Sequence, residues 1–118
     1  MKVEVKVTSS FKRLAKPLLK KYPSLKDELF NLSKELKKDP RLGESLGNNA
    51  YKIRISVESK GKGKSGGIRI ISYLETIILL SEDSVTEVNL LSIYDKSNTA
   101  TICKIELKKL IKTVVFKN

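Results

Sequence analysis

Apolar and polar residues alternate over the first seven positions, with Val3, Val5 and Val7 set against Lys2, Glu4 and Lys6. A period of two predicts a half-buried strand. The period then lengthens. Phe11, Leu14, Ala15, Leu18 and Leu19 recur at helical spacing, Ser9 or Ser10 can cap the helix, and Lys12, Lys16 and Lys20 lie elsewhere on its surface. Pro17 conflicts with this pattern, because it removes a backbone bond and should kink or interrupt the helix. Tyr22-Pro23-Ser24 punctuates the chain, and Ser24-x-x-Asp27 resembles a capping box with Asp in place of the stronger Glu. Leu25, Leu29, Leu32 and Leu36 give a second apolar stripe, Lys34, Lys37 and Lys38 suit its negative C-terminal end, and Asp39-Pro40 stops it. Two amphipathic helices joined by a short turn make a helical hairpin.

Residues 39–49 read as a polar loop ending in Asn48-Asn49. Alternation resumes with Tyr51, Ile53, Ile55 and Val57, which should face the helices, leaving Lys52 and Arg54 on the other side of the sheet. A Gly/Lys-rich stretch follows. Residues 67–80 are rich in Ile and Leu and predict one long strand or two short ones; Ser81-Glu82-Asp83-Ser84 is a turn, and Val85–Tyr94 is another strand. Asp95-Lys96-Ser97-Asn98 leads into a last helix bearing Ile102, Cys103, Leu107, Leu110 and Ile111. The order β-α-α-β-β-β-α predicts an α+β fold: an N-terminal strand, a helical hairpin, an antiparallel sheet of about four strands and a C-terminal helix. At 118 residues, the size prior is a single domain over 1–118.

Charge sharpens the picture. The formal net charge is +11, and its distribution is uneven. Residues 1–64 carry 17 Lys/Arg against 7 Asp/Glu, and residues 65–118 carry 7 against 6. A basic surface concentrated in one half of the chain points to an anionic partner. The chain has no histidine and one cysteine, Cys103. That count excludes an intrachain disulfide, Ser-His-Asp and Cys-His catalysis, and a cysteine- or histidine-rich zinc site. Cys103 falls in an apolar-periodic helical segment and reads as a small buried hydrophobe. The N-terminus is a strand pattern rather than a signal peptide, and no apolar run approaches a membrane span, so a cytoplasmic location is expected.

The candidate chemistry gathers around Gly61-Lys62-Gly63-Lys64-Ser65-Gly66-Gly67-Ile68-Arg69, which holds four of the six glycines. Gly61-x-Gly63-x-x-Gly66 matches the dinucleotide fingerprint literally, but that fingerprint must open a helix, and Ile68-Arg69-Ile70-Ile71 continues as a strand. Gly63-Lys64-Ser65 ends like a P-loop, but position 58, where the first glycine belongs, is Glu58. The chain is too short for a kinase. A flexible hairpin loop would explain the glycines. It does not explain why residues 52–69 hold six Lys/Arg against one Glu, because cations this dense repel one another unless an anion neutralises them. Lys52, Arg54 and Arg69 on the flanking strands, with mobile Lys62 and Lys64 between them, therefore read as a phosphate site. Tyr94, beside Asp95-Lys96, is placed to stack on a base or bond a ribose or phosphate oxygen, or else to sit half buried with its hydroxyl at the rim. Tyr73, mid-strand, reads as core.

Three ordered pieces, Tyr51-Lys52-Ile53-Arg54, Gly61–Gly67 with Ile68-Arg69-Ile70-Ile71, and Leu91-Ser92-Ile93 running into Tyr94-Asp95-Lys96-Ser97, resemble the RelE/ParE toxin superfamily, its HigB-like branch above all. The resemblance covers nearly the whole chain, including Phe11-Lys12-Arg13. The segment between Tyr73 and Val88 is longer and more apolar than that pattern. The resemblance implies the toxin of a type II toxin–antitoxin pair, a ribosome-dependent mRNA endonuclease that arrests translation. It implies a cognate antitoxin, the ribosome and mRNA as partners, with no membrane, no metal and no small-molecule cofactor. Carried over by position, it implies Arg54, Lys64, Arg69 and Tyr94 as catalytic residues and Lys52, Lys62 and Lys96 as RNA-binding ones. The implied chemistry suits a histidine-free chain, since the ribose 2′-OH supplies the nucleophile and the protein supplies orientation and charge. Arg54 and Arg69 would hold the scissile phosphate through guanidinium geometry. A lysine crowded by other cations would serve as acid or base, a role that falls to Lys64 or Lys52. Two further readings stand beside this one: a ParE-like gyrase inhibitor, and a non-catalytic RNA-binding module or inactive toxin remnant.

Overall fold

The computed structural model describes residues 2–60, 67–78, 84–95 and 104–115. The elements are β1 (Lys2–Val7), α1 (Ser9–Lys21), α2 (Leu25–Lys38), β2 (Glu44–Gly47), β3 (Ala50–Ile55), a 3-10 turn (Glu58–Lys60), β4 (Ile68–Ile78), β5 (Ser84–Asp95) and α3 (Lys104–Val115). The expected α+β fold, with its N-terminal strand, helical hairpin, sheet and C-terminal helix, is the observed one. The sheet is richer than the pattern predicts, with five strands in the order β1-β5-β4-β3-β2. It is mixed, because β1 lies parallel to β5. The added strand β2 comes from the segment read as a polar loop. It pairs antiparallel with β3 across Asn48-Asn49, whose φ values of 53° and 63° form the left-handed turn a two-residue hairpin needs. Gly43 sits at φ 105°, where a side chain would meet the Lys52 carbonyl oxygen at 2.5 Å. Glycine is therefore what lets β2 approach β3.

The helices differ from expectation in three local respects. Thr8, not Ser9 or Ser10, caps α1, its hydroxyl accepting from the Phe11 amide at 3.2 Å. Helix α1 runs through Pro17 without a break. Pro17 lies on the exposed side, so the Arg13 carbonyl it leaves without its helical partner can be solvated instead. Ser24 makes no side-chain capping bond to an α2 amide; its hydroxyl meets Glu28 and Ser59 instead. In α3, Leu107 is buried and Leu110 and Ile111 pack partly against the same cluster, whereas Ile102 and Cys103 lie outside the described residues.

The alternation of β3 and β4 sorts side chains cleanly between two faces. On one, Ile53, Ile68, Ile70, Leu74, Val88, Leu90 and Ile93 pack with Phe11, Leu25, Leu32 and Leu36 of the helical hairpin. Tyr51 and Ile55 join them partly, and Val57 fully, as the pattern predicts. On the other, a smaller cluster of Ala50, Ile71, Leu91 and Tyr94 receives Leu107 of α3. Tyr73 packs partly into this second cluster, and burial pushes its hydroxyl above its ordinary pKa, with Glu75 adding to the shift.

One irregularity decides what stands where. The β4–β5 register shifts between Ile71 and Ser72: Ile71 pairs with Ser92, but Ser72 pairs with Leu90, leaving Leu91 as an extra residue. A bulge of this kind changes which side chains face one another beyond it. Without the extra residue, Arg69 would oppose Ile93; with it, Arg69 opposes Tyr94. The bulge is held from the hairpin side, where the Thr8 hydroxyl donates to the Leu90 carbonyl and the Ser10 hydroxyl to the Leu91 carbonyl, each at 2.9 Å.

Candidate functional site

Strand pairing brings three of the sequence-predicted residues into one row. Arg54 of β3 opposes Arg69 of β4, and Arg69 opposes Tyr94 of β5. Directly opposed residues on adjacent strands lie about 4.5–5.5 Å apart at Cβ, so two guanidinium groups and a phenol project side by side from three strands. The row is on the α3 face, opposite the helical hairpin, as expected for Lys52 and Arg54. Only Arg69 has a paired strand on both flanks: β2 accompanies β3 only as far as Lys52, short of Arg54, and β1 accompanies β5 only as far as Leu90, short of Tyr94.

Exposure divides the row. Arg54 is exposed. Arg69 is 3% exposed, and its Nη1 has no hydrogen-bond partner among the described residues. Tyr94 is buried within the cluster that receives Leu107, deeper than a rim position. Like charges directly opposed on a sheet are unfavourable, and a buried cation with an unpaired donor costs more still. A row of this composition is poor for folding and well suited to holding an anion between its two arginines.

Lys52 is one step along the same face. It opposes Ile71 on one side and Glu44 on the other, and its Nζ lies 3.5 Å from Glu44 Oε2. Glu44 was not among the expected residues, because its strand was not; the signal that points to it is the Asn-Asn pair closing a hairpin. Lys62, Lys64 and Lys96 lie outside the described residues.

The chain leading to Gly61 is pinned to α2. Ser24 and Ser59 bond reciprocally: each backbone amide donates to the other's hydroxyl, at 3.1 and 3.0 Å, and the hydroxyls lie 2.7 Å apart. The Glu58 amide donates to Glu28 Oε2 at 2.8 Å, and the Ser24 hydroxyl donates to Glu28 Oε1 at 3.2 Å. The serine pairing links residues 35 positions apart, which is why sequence spacing did not reveal it. On the far side of the sheet, the buried Tyr22 hydroxyl donates to Asp95 Oδ2 at 2.7 Å, anchoring the end of β5 next to Tyr94.

The α3 face is electrically polarised. Six residues up β4 from Arg69, Glu75 opposes Glu87, which opposes Glu4 of β1. At about 3.3 Å per residue this acidic row lies roughly 20 Å from the arginines. Lys6 pairs with Glu87, and the hydrogen bond and charge of Glu87 hold the Lys6 ammonium above its ordinary pKa. An anion meeting this face is drawn toward the Arg54 end. Among the described residues no acidic or cysteine group forms a metal-binding cluster, and no helix is long and apolar enough to cross a membrane.

No family model matches the chain. Among solved structures, the fold is similar to that of the Escherichia coli toxin RelE, determined in the free state as a double arginine-to-alanine mutant. The two superpose with a TM-score of 0.55 over 97% of this chain and 99% of that one, at 15% sequence identity. At that identity the likeness is one of fold.

Proposed function

We propose that this protein is the toxin of a type II toxin–antitoxin pair, of the HigB-like branch, and that it arrests translation by cutting mRNA on the ribosome. The observation that carries the proposal is the cross-strand row of Arg54, Arg69 and Tyr94 on a RelE-like fold. In the reaction, the ribose 2′-oxygen forms a bond to the adjacent phosphorus while the bond from phosphorus to the 5′-oxygen breaks. The products are a 2′,3′-cyclic phosphate and a free 5′-hydroxyl. A base takes the 2′-OH proton and an acid protonates the departing 5′-oxygen. Negative charge builds on the phosphoryl oxygens as the new bond forms, and Arg54 and Arg69 are the groups to meet it; a donor of this kind is worth about a hundred- to a thousandfold in rate. Tyr94 orients the nucleotide. Lys64 or Lys52 moves the protons, and Lys62 and Lys96 hold the flanking phosphates. Catalysis here is positioning and charge, with no metal or small-molecule cofactor. Because Arg69 is buried, engaging the phosphate requires the groups packed around it to move aside.

That burial also favours a second reading, an RNA-binding module that uses Arg54 and the surface lysines and cuts nothing. Controlled expression of the wild type and of Arg69→Ala, with growth and mRNA ends both mapped, separates the two. The toxin reading predicts arrest and new mRNA ends for the wild type and neither for the variant. Wild-type protein that binds ribosomes in a salt-sensitive manner yet leaves mRNA intact supports the second reading.

A further inference from the structure

A cleft of about 410 Å³ opens at the edge of the sheet, between α2 and β3. Its position follows from where β2 stops. Strand β2 pairs with β3 only as far as Glu44 and Lys52, so the rest of β3 has no strand on that side among the described residues. The main chain of Arg54 points into the gap. The Lys52 carbonyl faces β2, since a side chain at Gly43 would meet it at 2.5 Å. Main-chain groups two residues apart on a strand point the same way, so the Arg54 amide and carbonyl are directed past the end of β2. Arg54 thus borders two sites, with its side chain in the arginine row and its main chain along the cleft. The opposite wall is α2. Glu28, Asn31 and Glu35 line it at spacings of three and four, which puts them on one ridge of the helix. Buried Leu32 and Ile53 form an apolar floor. Glu28 already accepts from the Ser24 hydroxyl and the Glu58 amide. Glu35 is exposed and in no ion pair among the described residues.

We propose that this cleft is a nucleobase subsite, which takes a base next to the phosphate at Arg54, admits bases with an exocyclic amino group and rejects uracil. The proposal rests on the reading of the arginine row as an RNA site. Three features select this ligand. A small cleft with an apolar floor and a few convergent polar groups suits a flat heteroaromatic ring. The Arg54 amide and carbonyl offer one donor and one acceptor side by side, and base edges present the complementary pair. The Glu35 carboxylate only accepts, and the Asn31 amide oxygen accepts beside it. Both suit the amino group of adenine or cytosine. Uracil has no amino group, and the two carbonyl oxygens that flank its single N–H repel a carboxylate. A partner's β-strand fits the same edge less well. Helix α2 walls the cleft and β2 closes one end of it, so little beyond the Arg54 main chain is left to pair with.

The test uses the full chain, labelled with nitrogen-15, and the homotrimers of adenosine, cytidine and uridine with 2′-O-methyl riboses. Such trimers cannot undergo attack by a 2′-hydroxyl, so they report binding alone. The Arg54 amide resonance should shift on adding the adenosine or cytidine trimer. Each of these should bind more tightly than the uridine trimer by about fivefold or more. Cytidine against uridine is the cleaner comparison, because the two rings have the same size. Glu35→Gln should bring the uridine trimer to within about twofold of the cytidine one, since the new amide can donate to a uracil carbonyl. Glu35 is exposed on α2, and circular dichroism checks that the variant remains folded. Equal affinity for the three trimers overturns the proposal. So does an Arg54 amide that does not move, or a Glu35→Gln variant that discriminates like the wild type. Each outcome is independent of cleavage: mRNA left intact on the ribosome would end the toxin reading and leave a selective cleft standing.

Discussion

The two faces of the sheet solve different problems with the same strands. The hairpin face is a continuous apolar core in which Ile53, Ile68, Ile70 and Ile93 meet four helical residues that are nearly solvent-free. The α3 face has a smaller apolar cluster and then two opposed arginines, one of them buried with a nitrogen that has no partner among the described residues. Neighbouring residues such as Arg69 and Ile70 therefore share backbone, burial and strand but not purpose. The hairpin face supplies the stability that lets the α3 face hold an arrangement folding alone would not favour.

Arg69 and Ile70 give the sharpest way to break that contrast. Arg69→Ala should lower RNA cleavage by about a hundred- to a thousandfold with the urea midpoint unchanged or raised, since it removes a poorly satisfied buried cation. Ile70→Ala should cost about 2–5 kcal/mol of stability through its cavity while the molecules that remain folded keep their activity. Equal effects from both substitutions on both quantities would erase the distinction between faces. A smaller effect is expected from Tyr22→Phe, which strips one buried donor from Asp95. It should cost about 1.5–3 kcal/mol, and because Asp95 adjoins Tyr94 in the chain, it should also reduce activity modestly.

The surface pairs of the α3 face should matter least. A double-mutant cycle on Lys52 and Glu44 should give a coupling below about 1 kcal/mol, with Glu44→Gln freeing Lys52 and raising RNA affinity at low salt. At the acidic end, Lys6 and Tyr73 both have folded-state pKa values above their ordinary 10.5 and 10.0. A group with a raised pKa contributes stability that is present below the unfolded value and lost as pH rises through the folded one. The urea midpoint should therefore fall through the high-alkaline range. Glu87→Gln should remove the Lys6 share of that fall and leave the Tyr73 share.

Much of this architecture was legible in the chain because local periodicity fixes local structure. Val3, Val5 and Val7 announce β1, and Leu25, Leu29, Leu32 and Leu36 announce α2. The same alternation placed Lys52 and Arg54 on the side away from the hairpin. What stayed hidden depends on pairing between distant residues. The parallel docking of β1 on β5 has no local signature. Strand β2 is only four residues long and lacks alternation, although Asn48-Asn49 marks its turn. Arg54, Arg69 and Tyr94 could be named from the sequence, but their alignment could not, because it depends on a bulge at Leu91 that periodicity does not show. Burial, too, has no signature in a residue's charge. Arg54 and Arg69 look alike in the sequence, and the fold exposes one and encloses the other.

The central claim is that the arginine row cuts mRNA on the ribosome. It is tested most directly by incubating purified protein with a defined mRNA, with and without translating ribosomes, and mapping the 5′ and 3′ ends. The account predicts cuts by the wild type only when ribosomes are present, 2′,3′-cyclic phosphate ends, and no cuts by a folded Arg69→Ala. Intact mRNA with the wild type, or wild-type cleavage by Arg69→Ala, contradicts it.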